Sequence, residues 1–182
     1  MFLIKLAALL VLITAAAVAQ QSGGKNNSST GFTLTSTAFK SGTAIPTQYS
    51  CKGADISPAL EWTGAPAGTA AFALVVDDPD APSGTFVHWV IWNLPPNTNS
   101  LKENIGHAAQ LGDGSRQGRN GFGKTGYNGP CPPQGQTHHY FFRLYALNER
   151  LDLASGAGRS AVDAAMKSHV LAQTEYMGTF HK

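Results

Sequence analysis

From residue 32 onward, apolar and polar positions alternate in short runs between turn-forming residues, a pattern typical of β-strands. Two runs, residues 70–76 and 86–94, are apolar on both faces, as expected for central strands of a sandwich. Gly and Pro separate most of these runs. We therefore predict a mainly β protein, an antiparallel Greek-key β-sandwich with few short helices. The predicted strands are residues 32–36, 57–62, 70–76, 86–94, 139–147 and 175–180.

One helix is predicted near the C-terminus. Ser160 and Asp163 have the spacing of a capping box, which favours a helix start at this point. Val162, Met166 and Val170 recur every four residues and would share one helix face. This is the C-terminal helix of the predicted fold.

The longest stretch without a clear period, residues 97–128, is polar and Gly-rich. A loop of this length in a compact domain is usually functional or contains unassigned structure, and residues 101–111 are a candidate for a short helix. Arg116, Arg119 and Lys124 form a modest basic cluster in a chain of net charge +2. This cluster is far too small for a nucleic-acid surface, so we expect no nucleic-acid partner. It would help to attract a small anion.

Residues 1–19 have the features of a cleaved secretory signal peptide. Lys5 precedes an apolar stretch that is shorter than the about 20 residues of a membrane span, and a small-x-small site ends at Ala19. We expect cleavage near Ala19, a periplasmic or secreted protein and no stable membrane insertion; the alternative is a retained N-terminal anchor. Residues 20–31 are small and polar, as in a flexible linker, which leaves residues 32–182 as one domain.

Two cysteines, Cys51 and Cys131, are present in the chain. In an exported protein an even number of cysteines favours a disulfide. A bridge closing a loop of about 80 residues would stabilise the fold by about 4 kcal/mol on the chain-entropy account. The alternative is a pair of buried free thiols. Because Cys131 lies within the second of the two motifs described next, a bridge would also hold that loop.

Two segments join a Pro- and Gly-rich turn to a strand that carries histidine. They are DPDAPSGTFVHW at residues 78–89 and GPCPPQGQTHHYFF at residues 129–142. Ligand sites are commonly built on loops at the end of a rigid sheet, so we expect these two segments to meet. The side chains expected to converge on one small polar pocket are Asp78, His88, His138 and Tyr140.

Strand alternation predicts which side chains share a face. On the first strand these are Phe86, His88, Val90 and Trp92. On the second they are His138, Tyr140 and Phe142, with His139 facing away. Two imidazoles, a phenol and loop amides are donors suited to phosphate or carboxylate oxygens. Asp78 would orient a histidine and raise its basicity, or contact a hydroxyl or amine of the ligand. The structural alternative is that both histidines are hydrogen-bonded core residues.

In this order, the two segments resemble the two signature regions of the phosphatidylethanolamine-binding protein family, which includes the Raf kinase inhibitor proteins. The resemblance covers about residues 32–181 and is strongest to the bacterial branch, through SPALEW at 57–62, QGRNGFG at 117–123 and HVLA at 169–172. It implies a β-sandwich with a small anion-binding pocket at one end that accepts phosphate-like head groups. The residues that it places in this pocket are Asp78, Pro82, His88, Gly129, Pro130, His138 and Tyr140.

Two positions depart from the family pattern. His139 stands where many members have Arg, and Phe86 where eukaryotic members often have Trp, which leaves head-group selectivity open. Some family members inhibit kinases or serine proteases by binding them, so a protease or kinase is the alternative partner. An exported protein does not meet the cytoplasmic kinases of its own host, and that role is not carried over.

We predict a binding protein without catalytic activity, metal or cofactor, against three alternatives. A zinc site could use both pocket histidines and Asp78, but the sequence has no HExxH or His-x-His pair. A hydrolase could use Ser57 or Ser83, but neither serine lies in a GxSxG turn; a histidine acid–base lyase or isomerase is a related alternative. An inhibitor or interaction protein would use an exposed loop such as residues 97–128.

Overall fold

A computed structural model describes residues 31–182, which form two antiparallel sheets and a single α-helix. The predicted signal peptide, residues 1–19, and all but the last residue of the predicted linker lie outside the described residues. The mainly β prediction is confirmed, while the Greek-key connectivity stays a prediction. No helix in residues 31–182 is long and apolar enough to cross a membrane. The strands are β1 (Thr33–Thr35), β2 (Leu60–Thr63), β3 (Ala71–Asp78), β4 (Phe86–Leu94), β5 (Ser100–Leu101), β6 (Arg116–Gln117), β7 (Thr137–Leu147) and β8 (Val170–His181); the helix α1 is Arg159–Met166, and a 3-10 turn covers Thr47–Tyr49.

The small sheet has the strand order β1-β2-β5, and the large sheet has the order β6-β4-β3-β7-β8. Side chains from both sheets, such as Trp62 and Leu74, form the larger core cluster between them. A second cluster covers the outer face of the large sheet and includes Val75 of β3 and Val162 of α1. Because both faces of β3 are covered, all eight of its residues are buried, which explains its continuous apolar run. Each large apolar side chain buried in this way contributes about 1.5–3 kcal/mol.

A β-bulge at His88 changes the alternation predicted for β4. Val87 and Trp89 pair with successive residues of β3, and His88 between them is the extra residue. Beyond the bulge, Trp89 packs in the core between the sheets, whereas Val90 and Trp92 pack on the helix side with Val87. The predicted common face of His88, Val90 and Trp92 is therefore wrong, because the inserted residue shifts the alternation by one position.

The start of α1 differs from the predicted capping box. Gly158 is the N-cap residue, Ser160 lies inside the helix, and no side chain caps the first turn. Asp163 instead accepts two hydrogen bonds from Nε of Arg159, at 2.8 and 2.7 Å. Nη1 of Arg159 also donates to the buried carboxylate of Asp77 on β3, at 2.7 Å, so these charges fasten the helix to the sheet.

Two further local predictions are wrong. Val170 does not continue the helix face: it begins β8 and is 40% exposed. Residues 101–111 contain no helix. This segment is held by the side chain of Gln117, whose Nε2 donates to the carbonyls of Gly106 and Ala108 at 2.6 and 2.9 Å. These bonds satisfy backbone oxygens that a helix would satisfy internally.

Candidate functional site

The two His-containing segments meet at one end of the large sheet, around a cavity of about 440 Å³. They meet because β3 pairs with both β4 and β7, which brings the end of β3 beside the start of each neighbour. Four of the predicted pocket residues line the cavity: Asp78, Pro82, His88 and His138. The other three, Gly129, Pro130 and Tyr140, lie outside the set of lining residues. The remaining lining residues are Ala81, Ser83, Phe86, Phe122, Cys131, Pro132, Pro133 and Lys182.

A disulfide between Cys51 and Cys131, the predicted pair, closes one wall of this cavity. The Cα atoms of the two cysteines are 5.5 Å apart, within the usual range for a bridge. The backbone N–H of Cys51 also donates to the carbonyl of Pro130 at 3.1 Å. The second motif is therefore held to the segment around residue 51 by a covalent bond and a hydrogen bond.

Asp78 and His138 form a buried pair on the cavity wall, and each residue is 3% exposed. Nδ1–H of His138 donates to Oδ2 of Asp78 at 2.8 Å, and the other carboxylate oxygen accepts from the N–H of Asp80 at 2.9 Å. Asp78 is the last residue of β3, whereas the sequence pattern assigns it to the Pro-rich turn that follows. The side-chain amide oxygen of Gln136, an exposed residue, lies 3.0 Å from Nε2 of His138.

His88 is the second buried histidine of the cavity wall. Its Nδ1–H donates to the backbone carbonyl of Asn128 at 2.8 Å. Nε2 of His88 has no hydrogen-bond partner within residues 31–182. The ring packs edge-on against Phe86, Phe122 and Tyr140, with centroid distances of 5.1–5.5 Å. Burial lowers the pKa of the His88 imidazole, because the charged form loses its hydration.

Tyr140 lies behind the cavity wall, where its ring supports His88. Its hydroxyl is buried and has no hydrogen-bond partner among the described residues. Burial raises the pKa of this phenol, and the nearby negative charge of Asp78 raises the pKa further, so the hydroxyl keeps its proton. An unpaired buried hydroxyl costs about 1–3 kcal/mol. The Tyr140 hydroxyl is therefore a buried donor without an acceptor among residues 31–182.

Asp55 organises the second motif, and our sequence reasoning did not identify it. Its two carboxylate oxygens accept from the N–H of Gly129 at 2.6 Å and from the side chain of Asn128 at 2.8 Å. The Gly129 amide is therefore not free for an anion, which corrects the expectation of loop amides as ligand donors at this residue. A Cβ at Gly129 would overlap the carbonyl oxygen of Tyr49. The only sequence signal for this role is that Asp55 is a polar residue in a Gly-containing turn. In the structure its φ is 55°.

The positive charge at the cavity does not come from the predicted basic cluster. Arg116, Arg119 and Lys124 are all absent from the cavity lining, and Arg116 donates to the carbonyl of Leu153. Lys182 lines the cavity instead, with Nζ 3.4 Å from Sγ of Cys131. It contributes the only ammonium or guanidinium group among the lining residues that the structure describes. No sequence signal linked this residue to the two motifs.

Within residues 31–182, no three His, Cys, Asp or Glu side chains form a cluster that could hold a metal ion. In the same part of the chain, neither pocket histidine is hydrogen-bonded to a Ser, Thr or Cys side chain. The arrangement offers imidazole nitrogens, a carboxylate and an ammonium group to a small polar ligand. Phe86, Phe122 and the prolines give the rest of the cavity an apolar wall.

Comparison with known proteins identifies the family. Residues 35–181 match the family model described as phosphatidylethanolamine-binding protein. The chain belongs to this family, and the resemblance inferred from the two motifs is confirmed.

Similar proteins come from archaea and bacteria. A UPF0098 protein of Methanothermobacter thermautotrophicus is 49% identical over 145 residues, covering 80% of this chain and 95% of its own. A Mycobacterium tuberculosis protein whose name describes a lipoprotein, LppC, is 42% identical over 149 residues, covering 81% of this chain and 71% of its own. The crystal structure of Escherichia coli YbcL, described as a new member of the mammalian family, superimposes with a TM-score of 0.79 at 33% identity, covering 84% of this chain and 99% of its own.

Proposed function

We propose that this family member binds a small oxyanion, either inorganic phosphate or the phosphoryl head group of a larger molecule. The observation that carries the proposal is the convergence of Asp78, His88 and His138 on one cavity. Its volume of about 440 Å³ lies in the usual range of small-molecule sites. Lys182 supplies a positive charge, and the unpaired hydroxyl of Tyr140 lies directly behind the wall.

The rigidity of the walls supports a binding role. The disulfide fixes the second motif, and five prolines restrict the backbone of the two loops. Walls that are already held near one conformation lower the ordering cost of ligand binding. The apolar side chains of Phe86 and Phe122 would contact the carbon atoms next to a phosphoryl group.

Binding without turnover is the favoured form of this proposal. Catalysis by acyl or phosphoryl transfer to the protein needs a nucleophile activated by an adjacent base. Within the described chain, the hydrogen-bond partners of the pocket histidines are a carboxylate, a backbone carbonyl and an amide oxygen. A screen with phosphate esters that showed turnover lost in His138→Ala would contradict the non-enzymatic form.

We further propose that the protein functions outside the cytoplasm. The disulfide supports this location, because such bonds persist in oxidising compartments, and a relative carries a lipoprotein name. The predicted signal peptide, residues 1–19, would direct the protein to export. Intact-mass measurement on the exported protein should show a chain that starts near Gln20; a full-length chain in the membrane fraction would instead indicate a retained anchor.

Calorimetric titration with inorganic phosphate and with glycerophosphoethanolamine tests the ligand proposal. His138→Ala should weaken binding by about 1.5–3 kcal/mol, the range for a hydrogen bond to a charged group. His169→Ala is the matched control, because it removes an imidazole that lies outside the cavity lining and contacts Asn148 beyond the far end of β7, and its affinity should equal that of the wild type. Failure of the wild-type protein to bind either probe at millimolar concentration would refute the proposed function.

A further inference from the structure

We propose that the cavity binds its anion together with one proton, and that Nε2 of His88 holds this proton. The inference rests on the proposed oxyanion binding and deepens it, since it specifies the protonation state of the complex. The two pocket histidines have four ring nitrogens, and three of these are already in hydrogen bonds.

The backbone determines the tautomer of His88. The carbonyl of Asn128 can only accept, so Nδ1 of His88, 2.8 Å away, must carry a hydrogen. The same two residues are joined by a second bond, from the N–H of Asn128 to the carbonyl of His88 at 3.1 Å. The side chain of Asn128 is in turn held by Asp55 and Asn120, at 2.8 and 2.9 Å. Nε2 is therefore the only nitrogen of His88 left for a ligand.

His138 is less suited to receive the proton. Its Nδ1–H donates to Asp78, and its Nε2 faces the amide oxygen of Gln136 at 3.0 Å, an atom that can only accept, so neither nitrogen offers a lone pair for a further proton. A ligand must displace Gln136 before it can reach this nitrogen. At His88 no displacement is needed, because Nε2 has no partner among residues 31–182.

A neutral Nε2 carries a lone pair, and a lone pair next to an anionic oxygen is repulsive. A proton between the two atoms converts the contact into a charge-assisted hydrogen bond. Around the ring lie the carboxylates of Asp78 and Asp55, the backbone of Asn128 and Gly129, the phenol of Tyr140 and the apolar rings of Phe86 and Phe122. His138 and Lys182 line the same cavity.

Without an anion, the cost of burial exceeds the stabilisation that the backbone of Asn128 and Gly129 and the two carboxylates give to the charged ring, so the pKa of His88 lies below its ordinary value. The ring is therefore neutral near pH 7.5. A bound oxyanion adds a negative charge next to Nε2 and favours the protonated ring. Binding and protonation are consequently linked, and affinity should rise as the pH falls.

Calorimetry with inorganic sulfate tests this linkage, because sulfate has no proton to supply near neutral pH. Titrations at pH 7.5 in two buffers of different ionisation enthalpy should show uptake of about one proton per sulfate. The dissociation constant should increase about tenfold per pH unit above neutrality, as expected for one linked proton. The mature wild-type protein is used, with inorganic phosphate as the second probe.

Variants assign the proton to a residue. His88→Gln should lose the pH dependence, whereas His169→Gln, outside the cavity and beyond the far end of β7, should keep it. If His88→Gln fails to fold, an NMR titration of His88 in the wild-type protein replaces it, and the pKa of His88 should rise when sulfate is added.

Four results would overturn the inference. The first is sulfate binding without proton uptake, and the second is proton uptake that persists in His88→Gln but is lost in His138→Gln. The third is a His88 pKa that sulfate does not change. The fourth is binding of phosphate but not sulfate, which would mean that the ligand brings the proton. In each of these cases oxyanion binding itself stands. Absence of binding by both anions between pH 5 and 9 would instead refute the proposed function, and this inference with it.

Discussion

Two aspartate–histidine pairs lie side by side where β3 and its loop meet the start of β7, and their surroundings are opposite. The side chains of Asp78 and His138 are 5% and 4% exposed, whereas those of Asp80 and His139 are 40% and 48% exposed. The Nδ1–Oδ2 distances are nearly equal, 2.8 and 2.7 Å. The same chemical pair therefore occurs twice, once in the cavity wall and once in solvent.

Position on the strand, and not pairing with an aspartate, determines which of the two histidines is buried. Alternation along β7 turns His138 inward and His139 outward, as the sequence predicts. Asp80 accepts from both the ring and the backbone N–H of His139, so the exposed pair fastens the loop that carries Pro82. One pair lines the site and the other holds its loop.

The largest expected difference between the pairs is in stability. Asp78→Ala leaves a buried N–H of His138 without its acceptor and should lower the free energy of unfolding by about 3 kcal/mol. Asp80→Ala breaks an exposed pair and should cost less than about 1 kcal/mol. Urea denaturation monitored by fluorescence measures both. Equal losses would show that burial does not distinguish the two pairs.

A smaller effect is expected at Tyr140, which adjoins the buried pair. Tyr140→Phe removes a hydroxyl without a partner, so the free energy of unfolding should stay the same or rise by about 1 kcal/mol. If the hydroxyl donates to the bound anion, phosphate affinity should fall by about 1.5–3 kcal/mol, the range for a hydrogen bond to a charged group. Denaturation and calorimetry on the same sample separate the two effects. Unchanged phosphate affinity would remove Tyr140 from the ligand-binding residues.

The smallest effect concerns pH and the exposed pair. Hydrogen bonds from the side chain and backbone of His139 lower the pKa of Asp80 below its ordinary value of 3.8. A carboxyl with a lowered pKa in the folded state contributes stability above its unfolded pKa, and this contribution is lost as the pH falls through the folded pKa. The melting temperatures of wild type and Asp80→Asn should therefore differ slightly at pH 5 and converge in stronger acid. A difference that persists in strong acid would mean that the ionised form of Asp80 is not its source.

Features that depend on local sequence were predictable. Alternating and continuous apolar runs predict most of the long strands, and the turn residues between them predict their ends. Alternation also placed His138, Tyr140 and Phe142 on the inner face of β7, where all three are buried. The two motifs indicated the family because both the residue types and their order along the chain are specific.

Long-range contacts decided the rest. The bulge at His88 depends on how β3 pairs with β4, and Asp55 reaches Gly129 across 74 residues of sequence. Lys182 reaches Cys131 across 51 residues. The sequence by itself thus determined most of the long strands, the family and the inward histidine of β7, since each follows from the spacing and order of residues along the chain. The tertiary structure decided which pocket nitrogens, amides and charges remain free for a ligand, because hydrogen-bond partners distant in sequence are chosen only when the chain packs.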